Sequence, residues 1–210
     1  MRLTADVLAR APAFLNVVSD REIDLRANNL PAIQNLALTN DAFDSIDLSR
    51  NHIARLECHA VLKRLKTLLL AKNRVATIAN NLRATLPNLT TLVLTDNKLA
   101  TLRDLEPLAG MPTIQRLSLV DNPVTKVPGY REHVISLLPE LRLLDFKRVS
   151  PVERSRALGS AAEVPAGHGG EEAPLPAPSG PTPEQVAAYR EAVSNATSLS
   201  DVERLEKRFQ

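Results

Sequence analysis

Few residues in this sequence have both the type and the spacing that chemistry needs. Asp24 and Asp47 occupy the same place in two neighbouring copies of a repeated phrase, and paired carboxylates can carry out acid–base catalysis. On an open, solvated surface their pKa values would have little reason to shift, so we expect a binding role instead.

Metal and nucleophile chemistry find equally little support. The four histidines are scattered without accompanying carboxylates, which disfavours a zinc site: His52, His59, His133 and His168. Cys58 is the single cysteine, so we expect neither an internal disulfide nor a cysteine metal cluster, and a reducing compartment is the natural inference. No glycine-rich phosphate loop or nucleophile motif is present. We therefore predict a non-enzymatic protein without catalytic residues, metal or cofactor.

A phrase repeated five times positions the remaining candidate residues. The copies read IDLRANNL, IDLSRNHI, LLLAKNRV, LVLTDNKL and LSLVDNPV, and their asparagines are Asn28, Asn51, Asn73, Asn97 and Asn122. Steps of 22 to 25 residues with a fixed Asn and an apolar skeleton are the signature of leucine-rich repeats. This pattern predicts an α/β solenoid in which parallel strands line a concave face and the apolar residues of each phrase fill the interior.

The residues between the apolar positions should face outward on the concave side. The candidate partner-binding residues read this way are Asp24, Asp47, Leu69, Val93, Ser118 and Val120. Leu69, Val93 and Val120 predict an exposed apolar row with an acidic edge, which suits an amphipathic helix with a basic flank. Any phosphate contacts would come from basic residues at the two ends, which are Arg2, Arg21 and Arg26 at one end and Lys147 and Arg148 at the other.

Composition divides the chain into four parts. Residues 1–22 should form an N-terminal cap with Thr4 capping a short helix and with Phe14, Leu15 and Val18 continuing its apolar face. Residues 23–150 carry five repeats and a C-terminal cap. Residues 151–181 are rich in Pro and Gly and predict a flexible linker, and residues 182–210 predict a short helical tail.

The overall charge and hydropathy narrow the functional class. The formal net charge is +2, too small for a general attraction to nucleic acid, and 3% aromatic residues argue against a base-stacking platform. No apolar run reaches the roughly 18 residues of a membrane span, and the N-terminus lacks a signal-peptide core. We expect a soluble, intracellular protein with no membrane partner.

Particular segments are similar to a known family. Residues 2–156, and above all DREIDLR and NPVTKVPGYREHVI followed by LLDFKRV, closely resemble the A-prime proteins of the U2 small nuclear ribonucleoprotein. The resemblance resumes weakly over residues 183–208, at VERLEK. The Pro- and Gly-rich linker departs from the family, where more Lys would be expected.

The resemblance implies a function that the spacing alone does not give. Members of this family are non-catalytic spliceosomal scaffolds in the nucleus. They take a helix of the B-double-prime protein, an RNA-recognition-motif partner, on the concave face, and the pair holds a U2 snRNA stem-loop in the particle that recognises the intron branch site. For this sequence the resemblance implies that the basic residues at the two ends approach the RNA backbone: Arg2, Arg26, Lys147 and Arg148. The C-terminal tail is a candidate contact for other spliceosome proteins.

Two other leucine-rich repeat functions are alternatives. A regulatory subunit of a protein phosphatase usually has more repeats, in unbroken regularity. A histone-binding protein of this class carries an acidic tail, which this sequence lacks.

Overall fold

The computed structural model describes residues 3–160, and these belong to one unit, Met1–Pro165. The strands of this part of the chain are β1 (Ala13–Leu15), β2 (Arg21–Asp24), β3 (Ser45–Asp47), β4 (Arg55–Leu56), β5 (Thr67–Leu69), β6 (Thr77–Ile78), β7 (Thr91–Val93), β8 (Arg116–Ser118), β9 (Leu143–Leu144) and β10 (Lys147–Arg148). Eight of them form a single sheet in the order β1-β2-β3-β5-β7-β8-β9-β10, and β4 and β6 form a second, two-stranded sheet.

Strands β2, β3, β5, β7, β8 and β9 run parallel in register, which confirms the leucine-rich repeat solenoid predicted from the sequence. Residues in register share a row across the sheet, and in the central row Ile23, Ile46, Leu68, Leu92 and Leu117 are all buried. The second apolar residue of each phrase is buried as well, because strand side chains alternate and residues two apart face the same side.

Each repeat asparagine joins its own turn to the preceding repeat. The Asn73 side chain donates to the carbonyl of Leu70 in its own repeat (3.1 Å) and to that of Leu48 in the previous one (3.0 Å), and it accepts from the amide of Ile53 (3.1 Å). Asn51, Asn97 and Asn122 bond in the same way. Asn28 has no earlier repeat to join; it is only half-buried and donates to the Arg26 carbonyl. A buried polar ladder therefore runs the length of the repeats.

The segments that connect one strand of the large sheet to the next contain short elements of different kinds. Helix α2 covers Leu82–Thr85, and 3₁₀ turns cover Leu36–Thr39, Leu102–Gly110 and Pro123–Lys126. Residues 54–64 contain β4, which pairs in parallel with β6. None of the helices within residues 3–160 has the length and apolar character needed to cross a membrane.

The structure of the N-terminal cap agrees only in part with the prediction from the sequence. Helix α1 spans Ala5–Arg10, and Thr4 caps it by accepting a hydrogen bond from the Val7 amide. Phe14 and Leu15 do not continue this helical face, contrary to the prediction. They lie in β1, which pairs antiparallel with β2 and starts the sheet one strand before the first repeat.

The C-terminal cap closes the other end with two helices. Helix α3 (Tyr130–Leu137) follows Gly129, whose φ of 74° is the left-handed conformation that glycine adopts without strain. Helix α4 (Pro151–Ser160) occupies the start of the predicted linker, because Ser150 and Glu153 form a reciprocal capping box around Pro151. The rest of the linker and the tail lie outside the described residues.

Candidate partner-binding surface

The concave face presents three rows of side chains, defined by the strand register. The first row contains Glu22, Ser45, Thr67, Thr91 and Arg116. The second contains Asp24, Asp47, Leu69, Val93 and Ser118. The third follows each strand by two residues and contains Arg26, Ser49, Ala71, Thr95 and Val120, as the backbone bonds between successive turns indicate.

This register corrects one prediction. Val120 does not share a row with Leu69 and Val93, because Ser118 occupies the position in register with Val93. Ser118 itself is 4% exposed, and its hydroxyl shares a 2.9 Å hydrogen bond with that of Thr95. The apolar centre of the face is therefore smaller than the predicted row of three residues. It consists of the half-buried Leu69 and Val93 on adjacent strands, with Ala71 and Val120 in the neighbouring row.

The two predicted aspartates lie side by side at one end of the face, with Arg26 against both. The Arg26 guanidinium donates to Asp24 (Nε to Oδ1, 2.9 Å) and lies 3.6 Å from Asp47 Oδ2. Asp47 is 8% exposed, and its Oδ1 accepts a hydrogen bond from the Ser49 amide (2.8 Å). The charged end of the face is thus a fixed cluster of two carboxylates and one guanidinium.

The electrostatics of this cluster suit recognition better than proton transfer. The hydrogen bond from the Arg26 guanidinium, against a smaller opposing effect of burial, holds the pKa of Asp24 below its ordinary value. The expectation that this pKa would not shift is therefore wrong for Asp24. A carboxylate with a lowered pKa is a weaker base, so it is poorly suited to general-base catalysis near neutral pH. Within residues 3–160, no three His, Cys, Asp or Glu side chains are grouped so that they could hold a metal ion.

The predicted RNA-contacting residues are not brought together. Arg2 lies outside the described residues, and Arg26 is engaged by the two aspartates. Lys147 and Arg148 are exposed neighbours on β10, six strands from β2. At a strand spacing of about 4.8 Å, the two basic ends are roughly 30 Å apart.

Two features of this surface were not predicted from the sequence. The first is the pairing of Arg26 with the aspartates, for which the spacing of two residues between Asp24 and Arg26 was the available signal. The second is Arg116, an exposed cation in the first row on β8, after which Leu143 of β9 continues the row. The face therefore carries two carboxylates on β2 and β3 and a cation on β8.

Comparisons with known proteins agree on one family. A leucine-rich repeat family model matches residues 1–165. The U2 small nuclear ribonucleoprotein A' of Arabidopsis thaliana is 40% identical over 99% of this chain and 89% of its own length. The human protein of the same name is also 40% identical, over 98% of this chain and 86% of its own. Among solved structures, the Drosophila melanogaster SNF/U2A' complex contains a chain that superposes with a TM-score of 0.74 at 42% identity, covering 76% of this chain and 91% of that one.

Proposed function

Because this chain belongs to the family of U2 small nuclear ribonucleoprotein A' leucine-rich repeat proteins, we propose that it is a non-enzymatic component of that particle. In this role it acts in the nucleus, and its concave face holds a helix of an RNA-recognition-motif protein equivalent to B-double-prime. The pair then holds a U2 snRNA stem-loop and supports branch-site recognition in pre-mRNA splicing.

The observation that carries this proposal is the pattern of the concave face. Leu69 and Val93 offer an apolar centre on adjacent strands, and the surrounding Ala71 and Thr67 are short enough for a helix to approach closely. The cluster of Asp24, Arg26 and Asp47 at one end favours a basic flank on that helix. The solved SNF/U2A' complex supports a protein partner for this family. Family membership favours this function over phosphatase regulation.

A pair of substitutions at the apolar centre tests the protein contact. We expect Leu69→Arg combined with Val93→Arg to abolish capture of the RNA-recognition-motif protein by the tagged chain, because two cations would be desolvated against an apolar helix face. Both side chains are half-buried at a surface, so thermal unfolding should change little. Val61→Arg is the matched control, since Val61 is an exposed aliphatic residue outside the strands. Normal capture by the double variant would disprove the assignment of the concave face.

The RNA contact can be tested separately from the protein contact. We expect Lys147→Ala with Arg148→Ala to lower retention of U2 snRNA while leaving the protein partner bound. The dependence of RNA binding on salt should weaken by about one unit of log–log slope for each phosphate that the variant no longer neutralises. Unchanged affinity and slope would show that β10 does not contact the RNA backbone.

A further inference from the structure

The N-terminal hairpin carries a cluster of apolar side chains that folding does not use. Phe14 and Leu15 in β1 are 47% and 67% exposed, and Val17 and Val18 in the turn are 103% and 69% exposed. Adjacent exposed residues of this size on a soluble protein usually mark an interaction site. The hairpin lies at the edge of the sheet, where Phe14 pairs with Glu22 of the first row and Leu15 pairs with Arg21.

Hydrogen bonds fix this turn, so the apolar side chains are held out in a defined arrangement. Asn16 Oδ1 accepts from the amides of Val18 (3.1 Å) and Asp20 (3.0 Å), and the Asn16 side-chain amide donates to Glu22 (3.0 Å). The Asn16 carbonyl also accepts from the Ser19 amide at 2.9 Å. A turn with this much internal bonding gives a partner a preorganised surface.

Among the described residues, no strand pairs with the outer edge of β1. The Asp24 amide donates to the Pro12 carbonyl and the Asn16 amide to the Asp20 carbonyl, so even-numbered residues of β1 bond to β2. Ala13 and Leu15 consequently direct their amide and carbonyl groups away from β2, where the sheet ends. All three residues of β1 are exposed. Such an edge can accept an additional strand.

A cleft beside the edge indicates what that strand should carry. Ala13, Phe14, Leu15, Arg21 and Phe43 line a cleft of about 370 Å³. The Arg21 guanidinium lies 5.9 Å from the centre of the Phe43 ring, and within residues 3–160 it makes no ion pair. Apolar walls with one exposed cation favour apolar side chains accompanied by a carboxylate.

We propose that β1 and this cleft dock an extended apolar peptide bearing acidic residues, which adds a strand to the free edge. A second copy of the chain is disfavoured as the occupant. Two three-residue edges would bury far less than the roughly 1,000 Å² of a stable interface, and a second copy would bring another Arg21 in place of the needed carboxylate. Phe14 is in register with Glu22 and so extends the first row of the concave face, but the free edge of β1 lies away from the apolar centre at Leu69 and Val93, so the two proposals can fail separately.

Selection from a displayed library of random 12-residue peptides on the full-length chain tests this proposal. We expect enriched peptides to alternate aliphatic or aromatic residues with Asp or Glu. In fluorescence anisotropy, a synthetic peptide of the enriched sequence should bind at least tenfold more weakly to Leu15→Asp and to Arg21→Glu. Leu69→Arg should leave this affinity unchanged, and Val61→Asp controls for an added surface carboxylate. Hydrogen exchange at the Ala13 and Leu15 amides should slow in the complex.

Several results would overturn the proposal. These are the absence of enriched sequences, enrichment of basic peptides, or binding that persists in both variants while their thermal unfolding is unchanged. Binding without protection of Ala13 and Leu15 would rule out strand addition. Tighter binding of an oligouridylate at the same residues would assign the cleft to single-stranded RNA. Enrichment of sequences matching residues 161–210 would assign it to the chain's own tail.

Discussion

At the scale of single residues, the repeat asparagines are the buried polar groups that join one repeat to the next. We expect Asn73→Ala to lower the free energy of unfolding by roughly 2–4 kcal/mol. The variant leaves the buried Ile53 amide unpaired and removes one of the two asparagine donors to each of the Leu48 and Leu70 carbonyls. Urea unfolding measures the change.

Asn28→Ala is the matched control for that prediction. Its side chain is half-buried and bonds to a carbonyl of its own turn, so water can replace the missing bond. The expected cost is below about 1 kcal/mol. Equal losses of stability in the two variants would mean that the bonds between repeats do not stabilise the fold.

The residue before each asparagine is under backbone strain. Ala27, Arg50, Lys72, Asp96 and Asp121 all have φ between 55° and 60°, in the left-handed region. We expect Lys72→Gly to raise the free energy of unfolding by up to about 1 kcal/mol, because relief of this strain exceeds the added flexibility of the unfolded chain. Asp96→Gly should gain less, since Asp tolerates this conformation better. A loss of stability at Lys72 in urea titrations would contradict the argument.

At the scale of elements, the C-terminal cap is held by a group of polar contacts centred on Arg131. Its guanidinium donates to Glu153 of α4 (2.6 Å) and to the carbonyls of Leu144 (3.3 Å) and Arg148 (3.0 Å). Tyr130, next to it in α3, donates to Asp145 (2.8 Å). These contacts tie α3 and α4 to the last strand pair and shield the final repeat from solvent.

The pH dependence of stability should report this cap. The Arg131 guanidinium, with the Ser150 amide, lowers the pKa of Glu153 from 4.5 to about 2. A depressed carboxylate pKa stabilises the fold above the unfolded-state value, and the contribution is lost as pH falls from about 4.5 towards 2. We expect Glu153→Gln to have a lower free energy of unfolding than the unchanged chain at neutral pH. The two values should become equal in acid. If urea unfolding gives the same difference in free energy of unfolding between the two chains at every pH, this coupling is refuted.

The elements also show which parts of the fold the sequence could reveal. Alternating apolar residues and a fixed Asn predicted the strands of all five repeats, because every repeat of a solenoid has the same local structure and therefore the same residue pattern. Strand β1 was not predicted because Phe14 and Leu15 are exposed, so their apolar character does not report burial. Helix α4 was not predicted because Pro and Gly dominate the segment it begins, although Ser150 and Glu153 three residues apart were a readable capping signal.

At the scale of the whole molecule, the position of the candidate surface was predictable but its detail was not. The repeat period placed Asp24, Asp47, Leu69 and Val93 on the concave face. It could not reveal that Arg26 would join the two aspartates, since that pairing depends on side-chain conformations. The offset of Val120 was readable in the repeated phrase itself. Leu69 and Val93 stand four residues before their asparagines, whereas Val120 stands two residues before Asn122.

The asparagine ladder has a mechanical consequence. Because each repeat is bonded to its predecessor along one line, tension applied between the two ends would load these bonds in series, and the weakest repeat would open first. In an optical trap the chain should lengthen in steps. Each step would release one repeat of 22 to 25 residues, or up to about 80 Å of extended chain. The protein would then unfold under load one repeat after another.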